Sequence, residues 1–395
     1  MSDPRHEVGD TLVNPSAQSQ QVTVGADARR STVLPRLEWS GPVPTASPTQ
    51  RLRFEELGPL GRGGMGEVVL ARDHDIERTV AIKRLTEQQD LGLLMRFVDE
   101  IRTVGALEHP NIVPVHDVGV DERGRYYFVM KHLRGESLES IITRLRAGDA
   151  AAHARFPFHV RVQVFLGVLN AMAYAHQQGF LHRDLKPANI MVGPYGEVTV
   201  MDWGLARHLD KKDTAPVTSA RSGTALETKV GAVMGTPLYM SPEQARGEQD
   251  KLDVRSDVYA LSVVFHEFLY LEHYLGELSA LPEILSAVQT RTPALWPVKG
   301  HPTQPSVPAE FSWYLDRGFQ KDPAKRYQTV AEMIEALQRI VDGRVEVHCQ
   351  RTFTKRVLQE VVHAVDAHPM AVILGSGAVL AFVLAGLVNS FLTFF

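Results

Sequence analysis

Three glycines at the spacing G-x-G-x-x-G, in Gly61-Arg-Gly-Gly-Met-Gly66, are followed by Glu67-Val-Val-Leu-Ala-Arg72, a β-branched run that continues as a strand. That order narrows the fold. In a dinucleotide-binding βαβ unit the same glycines open a helix, with the anion at its N-terminus. A strand after the last glycine describes a glycine-rich flap between two strands instead. Gly61, Gly63 and Gly66 would let backbone N–H groups approach anionic oxygens with no Cβ in the way. Taken alone, the segment also fits a plain hairpin turn. The next strand, Thr79-Val-Ala-Ile-Lys83, ends in a lysine. An ammonium directed into a cleft requires an anionic partner, because burying it unpaired is costly.

Further along the chain stand His182-Arg-Asp-Leu-Lys-Pro-Ala-Asn189, Asp202-Trp-Gly204 and Ser241-Pro-Glu243. The first fixes four polar functions over a short span in an apolar setting. The order of all these segments resembles the protein kinase family, specifically its serine/threonine branch in the eukaryotic-like form that bacteria also carry. The resemblance runs from about residue 54 to 341. It implies an α+β, two-lobed fold: a small β-rich N-lobe with one main helix (51–130), a hinge (131–133) and a larger, mostly α C-lobe (134–341), with the site in the cleft between them. Patterning agrees with that order, with strands at 113–118 and 126–130, helical spacing over 93–107, and long amphipathic runs over 160–176, 254–271 and 331–341.

By the same resemblance, Asp184 accepts or orients the attacking hydroxyl, Lys186 neutralises charge on the γ-phosphoryl group, and Asn189 and Asp202 hold Mg²⁺, with Mn²⁺ an alternative. Lys83 would hold the ATP phosphates and pair with Glu100; Asp99 is the runner-up, about 100° away around the helix. Leu60, Val68 and Ala81 would lie above the adenine, Met191 below it, Met130 behind it and Leu133 on the hinge, though each could equally be plain core. His182 reads as a packed structural histidine. Trp203 stands where the family usually has Phe and is expected to pack under the Glu100 helix. The stretch with Thr214, Thr218, Ser219, Ser222, Thr224 and Thr228 resembles an activation segment. A phosphate there could pair with Arg183, or the stretch could be an unmodified polar loop. Gly235-Thr-Pro-Leu-Tyr-Met-Ser-Pro-Glu243 resembles its substrate-binding end, with Thr236 near Asp184 and Ser241 in place of the more usual Ala. Glu243 is expected to pair with Arg326, and Asp257 to anchor the catalytic-loop backbone.

The implied activity is transfer of the γ-phosphoryl group of ATP to protein Ser/Thr hydroxyls, with autophosphorylation of the activation segment. The rival is a membrane-tethered pseudokinase scaffold that binds nucleotide or partner proteins without chemistry. Retention of Lys83, Asp184, Asn189 and Asp202 argues against it. A small-molecule kinase of the same fold is disfavoured by the full activation segment.

A net charge of −4 and a pI near 6.5 give no reason to invoke nucleic acid. Cys349, the only cysteine, allows neither an intramolecular disulfide nor a thiolate metal site. That suits a cytosolic kinase domain, and the N-terminus lacks the apolar core of a cleaved signal. Residues 1–50 are polar and aperiodic, which predicts a disordered arm. Residues 370–395 carry no charge. As a helix they would reach about 39 Å, enough for a hydrocarbon core of about 30 Å. This predicts a single-pass membrane helix; a buried apolar helix is the other reading. The apolar face over 357–365 fits either a dimerising stalk or a helix on the kinase lobe, within a helical linker at 342–369. Gly377, Ala381 and Ala385 share one helix face, a spacing that permits a homodimer in lipid.

Overall fold

Period-two patterning builds the N-terminal sheet. The computed structural model describes residues 52–63, 66–86, 90–209, 236–295 and 301–344, with the short stretches 36–38, 45–47 and 384–386. Strands β1 (Phe54–Arg62), β2 (Gly66–Asp73), β3 (Arg78–Leu85), β4 (Val115–Val120) and β5 (Tyr126–Lys131) form one antiparallel sheet in the order β1-β2-β3-β5-β4. Residues directly opposed in antiparallel register share a face. Val68, Lys83 and Phe128 therefore form one row, and Leu70, Ala81 and Met130 the next, on the same side of the sheet. The opposite side carries Val69, Ala71, Val80, Ile82, Tyr127 and Val129, a small buried cluster with Phe54 packed against it.

Helix α1 (Leu91–Ala106) is started by Asp90, whose carboxylate accepts the N–H groups of Gly92 and Leu93. Its buried residues, Phe97, Glu100, Thr103 and Val104, recur at helical spacing. Phe97 clusters with Leu85 and Phe128, its ring centroid 5.5 Å from that of Phe128. This contact carries Glu100, one turn on, beneath the Lys83 end of β3. Asp99 points to solvent, so the choice between the two carboxylates is decided by the buried face of the helix.

The C-terminal part is mainly helical: α2 (Leu138–Arg146), α3 (Phe158–Gln177), α4 (Val254–Tyr270), α5 (Ala309–Gly318) and α6 (Val330–Val341). Every residue of α4 from Ser256 to Tyr270 is buried, which makes it the central rod of this lobe. Phe165 of α3 stacks on Phe265 of α4 with centroids 4.0 Å apart. The hairpin β6 (Ile190–Val192) and β7 (Val198–Val200) joins the two parts. Val200 N–H donates to the Asn111 carbonyl at 2.8 Å, and Val113 N–H to the Val200 carbonyl at 3.2 Å.

One expectation is corrected in part. Within the predicted disordered arm, Arg36–Glu38 pairs antiparallel with Thr45–Ser47, strands too short for an alternation to register in the sequence. The rest of residues 1–51 lies outside the described residues. So do the linker from 345 onward and the predicted membrane segment, apart from 384–386, which are helical and exposed. Among the described residues no helix is long and apolar enough to cross a membrane.

Glu243 and Arg326 close the base of the C-lobe as expected. The pair is bidentate, at 2.8 and 2.9 Å, with side chains 2% and 0% exposed. Arg326 uses all five of its N–H groups, the others donating to the carbonyls of Gln320, Arg255 and Lys321. Burial would raise the Glu243 carboxyl, but the Arg326 hydrogen bonds hold it below the usual carboxylate range. Removing one member strands a buried charge, so Arg326→Met is expected to lower folding stability by about 3–5 kcal/mol in chemical denaturation. A loss below about 1 kcal/mol, the range of exposed pairs, would contradict this role.

Candidate active site

The loop at 182–189 is held from beneath by α4. The Asp257 carboxylate accepts the His182 N–H at 2.9 Å and the Arg183 N–H at 3.0 Å, and lies 2.8 Å from His176 Nε2. Burial works to raise this carboxyl, yet the His176 hydrogen bond and the backbone N–H donors hold it below its ordinary value. Arg183 can then sit at φ 68°, a left-handed conformation strained for a residue with a Cβ. His182 is fully buried, and burial lowers its pKa, which keeps the ring neutral. Its Nε2 donates to the Met201 carbonyl at 3.3 Å, and its Nδ1 accepts the Asp184 N–H at 3.4 Å. The packed histidine expected here therefore also joins the backbones on either side of the site.

Asp184 is the centre of a polar cluster. Oδ1 accepts from the Thr236 N–H at 2.8 Å and the Thr236 hydroxyl at 3.0 Å. Oδ2 accepts from Lys186 Nζ at 2.7 Å, and the same ammonium donates to Thr236 Oγ1 at 3.0 Å. Asn189 Nδ2 donates to the Asp184 carbonyl at 3.0 Å, which leaves the amide oxygen of Asn189 as a donor atom for a cation. Met201 N–H donates to the Asn189 carbonyl at 2.9 Å, setting Asp202 beside Asn189.

Across the cleft, Lys83 Nζ meets Glu100 Oε1 at 2.5 Å and Asp202 Oδ1 at 3.4 Å. Burial disfavours the ammonium, but the two carboxylates outweigh it and hold its pKa above the ordinary value. Asp202 stands at φ 61° and remains 39% exposed, so its carboxylate is accessible from the cleft. The donor set is one exposed carboxylate and one amide oxygen. Those hard oxygens suit Mg²⁺, which is usually held by one or two carboxylates together with substrate phosphates. Among the described residues no group of three or more His, Cys, Asp or Glu could hold a metal by itself.

The glycines divide into two kinds. Gly63 N–H donates to the Gly66 carbonyl at 2.8 Å and closes the flap. A Cβ on Gly66 would lie 2.1 Å from the Arg84 carbonyl, so this glycine is required by strand packing. At Gly61 and Gly63 a Cβ would meet nothing within 4 Å, which leaves the space over the flap open for a ligand. Among the residues expected around the adenine, Val68, Ala81 and Met130 share the Lys83 side of the sheet. Met191 lies on β6, Leu133 and Met130 are partly buried against the main core, and Leu60 is 48% exposed.

Trp203 is buried with its ring centroid 4.6 Å from that of His182, in the same core cluster as Val104 of α1. Thr214, Thr218, Ser219, Ser222, Thr224 and Thr228 lie outside the described residues. Two contributors were not anticipated. His176 reaches Asp257 from α3 with no local motif to announce it. Gln244 forms a capping box with Ser241, and the spacing Ser-x-x-Gln ahead of a short helix is a signal that could have found it.

Comparison with known proteins agrees with this geometry. The family model described as the protein kinase domain matches residues 54–338. Serine/threonine-protein kinase PknD of Protochlamydia amoebophila is 32% identical over 317 residues, covering 77% of this chain and 32% of that protein. Serine/threonine-protein kinase PknB of Mycolicibacterium smegmatis is 37% identical over 298 residues, 73% of this chain and 43% of the relative. PknB of Mycobacterium tuberculosis is 36% identical over 297 residues, again 73% and 43%. The chain thus spans less than half the length of each of these curated relatives. With a strand-borne lysine paired to a helix carboxylate, and an aspartate, lysine and asparagine gathered on one loop, the chain belongs to the protein kinase family.

Proposed function

We propose that this chain is a serine/threonine kinase that transfers the γ-phosphoryl group of ATP to hydroxyls of protein substrates. The observation that carries the reading is the Asp184 carboxylate, which holds the hydroxyl of Thr236 at 3.0 Å with the Lys186 ammonium 2.7 Å from its other oxygen. A carboxylate that binds an alcohol beside a fixed cation is what the attack of a serine or threonine hydroxyl needs. Asp184 orients the incoming hydroxyl and takes its proton. Lys186 balances negative charge on the transferred group. Lys83, itself held by Glu100, positions the phosphates, and the flap with Gly61 and Gly63 covers them. Asp202 and the Asn189 amide oxygen would hold Mg²⁺, which neutralises charge on the phosphates when bound.

Val68, Ala81, Met130, Leu133 and Met191 form the adenine site in this reading, with Leu60 closing over it. Autophosphorylation within the activation segment, with Arg183 as the phosphate's partner, regulates the enzyme, and the uncharged run 370–395 attaches it to a membrane. The pseudokinase alternative is disfavoured because Lys83, Asp184, Asn189 and Asp202 are all present, with Lys83 bonded to Asp202 and Asn189 to the Asp184 carbonyl.

The first test is phosphoryl transfer from Mg-ATP by the full chain, to itself and to a generic basic protein. Asp184→Asn is expected to lower turnover by about 10² to 10⁴, the usual worth of a positioned acid or base, with nucleotide binding retained. Transfer that survives in this variant would remove Asp184 from its role. Lys83→Met is expected to lower kcat/KM for ATP by at least about ten-fold through lost phosphate positioning; full activity would exclude Lys83 from the site. For the membrane assignment, the full chain should co-sediment with phospholipid vesicles and residues 1–369 should not. Equal recovery of both in the supernatant would overturn attachment through the C-terminal run.

A further inference from the structure

Arg183 immediately precedes Asp184, and its peptide is restrained at both ends. Asp257 accepts its N–H at 3.0 Å. Its carbonyl accepts from Gln244 Nε2 at 2.9 Å, a buried contact that reaches across from the segment following Thr236. Gln244 is only 6% exposed, and the other end of its amide is equally engaged. Oε1 accepts the Ser241 N–H at 3.0 Å and the Ser241 hydroxyl at 3.1 Å. Ser241, wholly buried, also accepts the Gln244 N–H on its Oγ at 3.3 Å.

These contacts settle which way the amide points. Reversed, its NH₂ would face the Ser241 N–H and its oxygen would face the Arg183 carbonyl, a buried mismatch of donor on donor and acceptor on acceptor. The hydroxyl of Ser241, where alanine is more usual in the family, donates to the same amide oxygen and strengthens the hold on it. The held carbonyl matters because the Arg183 oxygen and the Asp184 N–H belong to one rigid peptide plane. Fixing the first fixes the second, which is directed at His182 Nδ1. A peptide next to a left-handed residue gains most from such restraint, since rotation would relieve the strain.

We infer that Gln244 is a positioning residue for phosphoryl transfer: with its amide oriented by Ser241, it holds the Arg183 carbonyl and so keeps the Asp184 carboxylate aimed at the substrate hydroxyl. The inference rests on the phosphotransfer reading of the site. It makes the pair Ser241–Gln244 a mechanical link between the segment that carries Thr236 and the loop that carries Asp184.

The test uses the full chain with Gln244→Met, which keeps length but loses the amide, with Ser241→Ala, and with both together. Steady-state kinetics and thermal melting are measured for each. Gln244→Met is expected to lower kcat about ten-fold, the upper range for one lost hydrogen bond, with KM for ATP unchanged within about two-fold. Ser241→Ala should lower kcat about three-fold, and the double variant should fall no further than Gln244→Met alone, because Ser241 acts through the amide. Ser241→Ala leaves the amide in place and carries the test if Gln244→Met does not fold. Hydrogen exchange over residues 178–189 is the readout independent of turnover: faster exchange there in Gln244→Met, with distant peptides unchanged, supports the restraint. A folded Gln244→Met with kcat within about two-fold of the parent, or with unchanged exchange over that loop, would overturn it. If the parent chain transfers no phosphate, the functional reading fails, while the exchange measurement still decides whether Gln244 holds the loop.

Discussion

A single buried carboxylate organises the site. Asp257 projects from the buried stretch of α4 and accepts two consecutive backbone N–H groups, those of His182 and Arg183. A buried carboxylate with no partners would be too costly to keep charged. With two peptide donors and His176 around it, Asp257 stays ionised and in turn holds Arg183 in a conformation the residue would not adopt freely. The side chains at 184, 186 and 189 then follow from the path of the loop. The geometry of the candidate site is thus a consequence of core packing in the larger lobe.

The second half of the site is positioned by different physics. Glu100 reaches Lys83 because Phe97, one turn earlier, is packed with Leu85 and Phe128 beneath the sheet. The ion pair is accordingly conditional on how α1 seats against β3. Asp202 belongs to the other lobe, yet lies 3.4 Å from the same ammonium. Lys83 is therefore a point at which the seating of α1 and the conformation of the segment at 202 are sensed together. Trp203 fills the space between these parts, buried against His182, with its indole nitrogen making no hydrogen bond. An unpaired buried N–H disfavours this position by about 1–3 kcal/mol relative to an apolar ring of the same fit. The larger ring offsets part of that through its contacts.

Much of this was legible in the residues alone, for a reason visible in particular cases. Lys83, Asp184, Asn189 and Asp202 lie in short contiguous segments that resemble those of the protein kinase family, so the resemblance alone points to them. Glu100 is preferred over Asp99 because its segment resembles the family's third helix; the two face about 100° apart, and the structure buries the one and exposes the other. His176 and the inward aim of Gln244 were not legible, because each acts through an element distant in sequence. The true constraint on Gly66 was also hidden: its missing Cβ makes room for the Arg84 carbonyl on the neighbouring strand, a fact about register. The short ladder at 36–38 and 45–47 escaped because three residues per strand cannot display a period.

Neither lobe contains the whole candidate site. Lys83 and the flap belong to the N-terminal sheet and Glu100 to the helix packed on it, while Asp184, Lys186, Asn189 and Asp202 belong to the C-terminal part. The connection between β7 and the 111–113 segment is one of the places where the two are tied by backbone hydrogen bonds. This assembly is proposed to move phosphate to an alcohol. The most direct measurement is phosphoamino-acid analysis of the full chain after incubation with labelled Mg-ATP. Label on serine or threonine is the predicted result; no label at saturating bound nucleotide, or label on tyrosine alone, would contradict it.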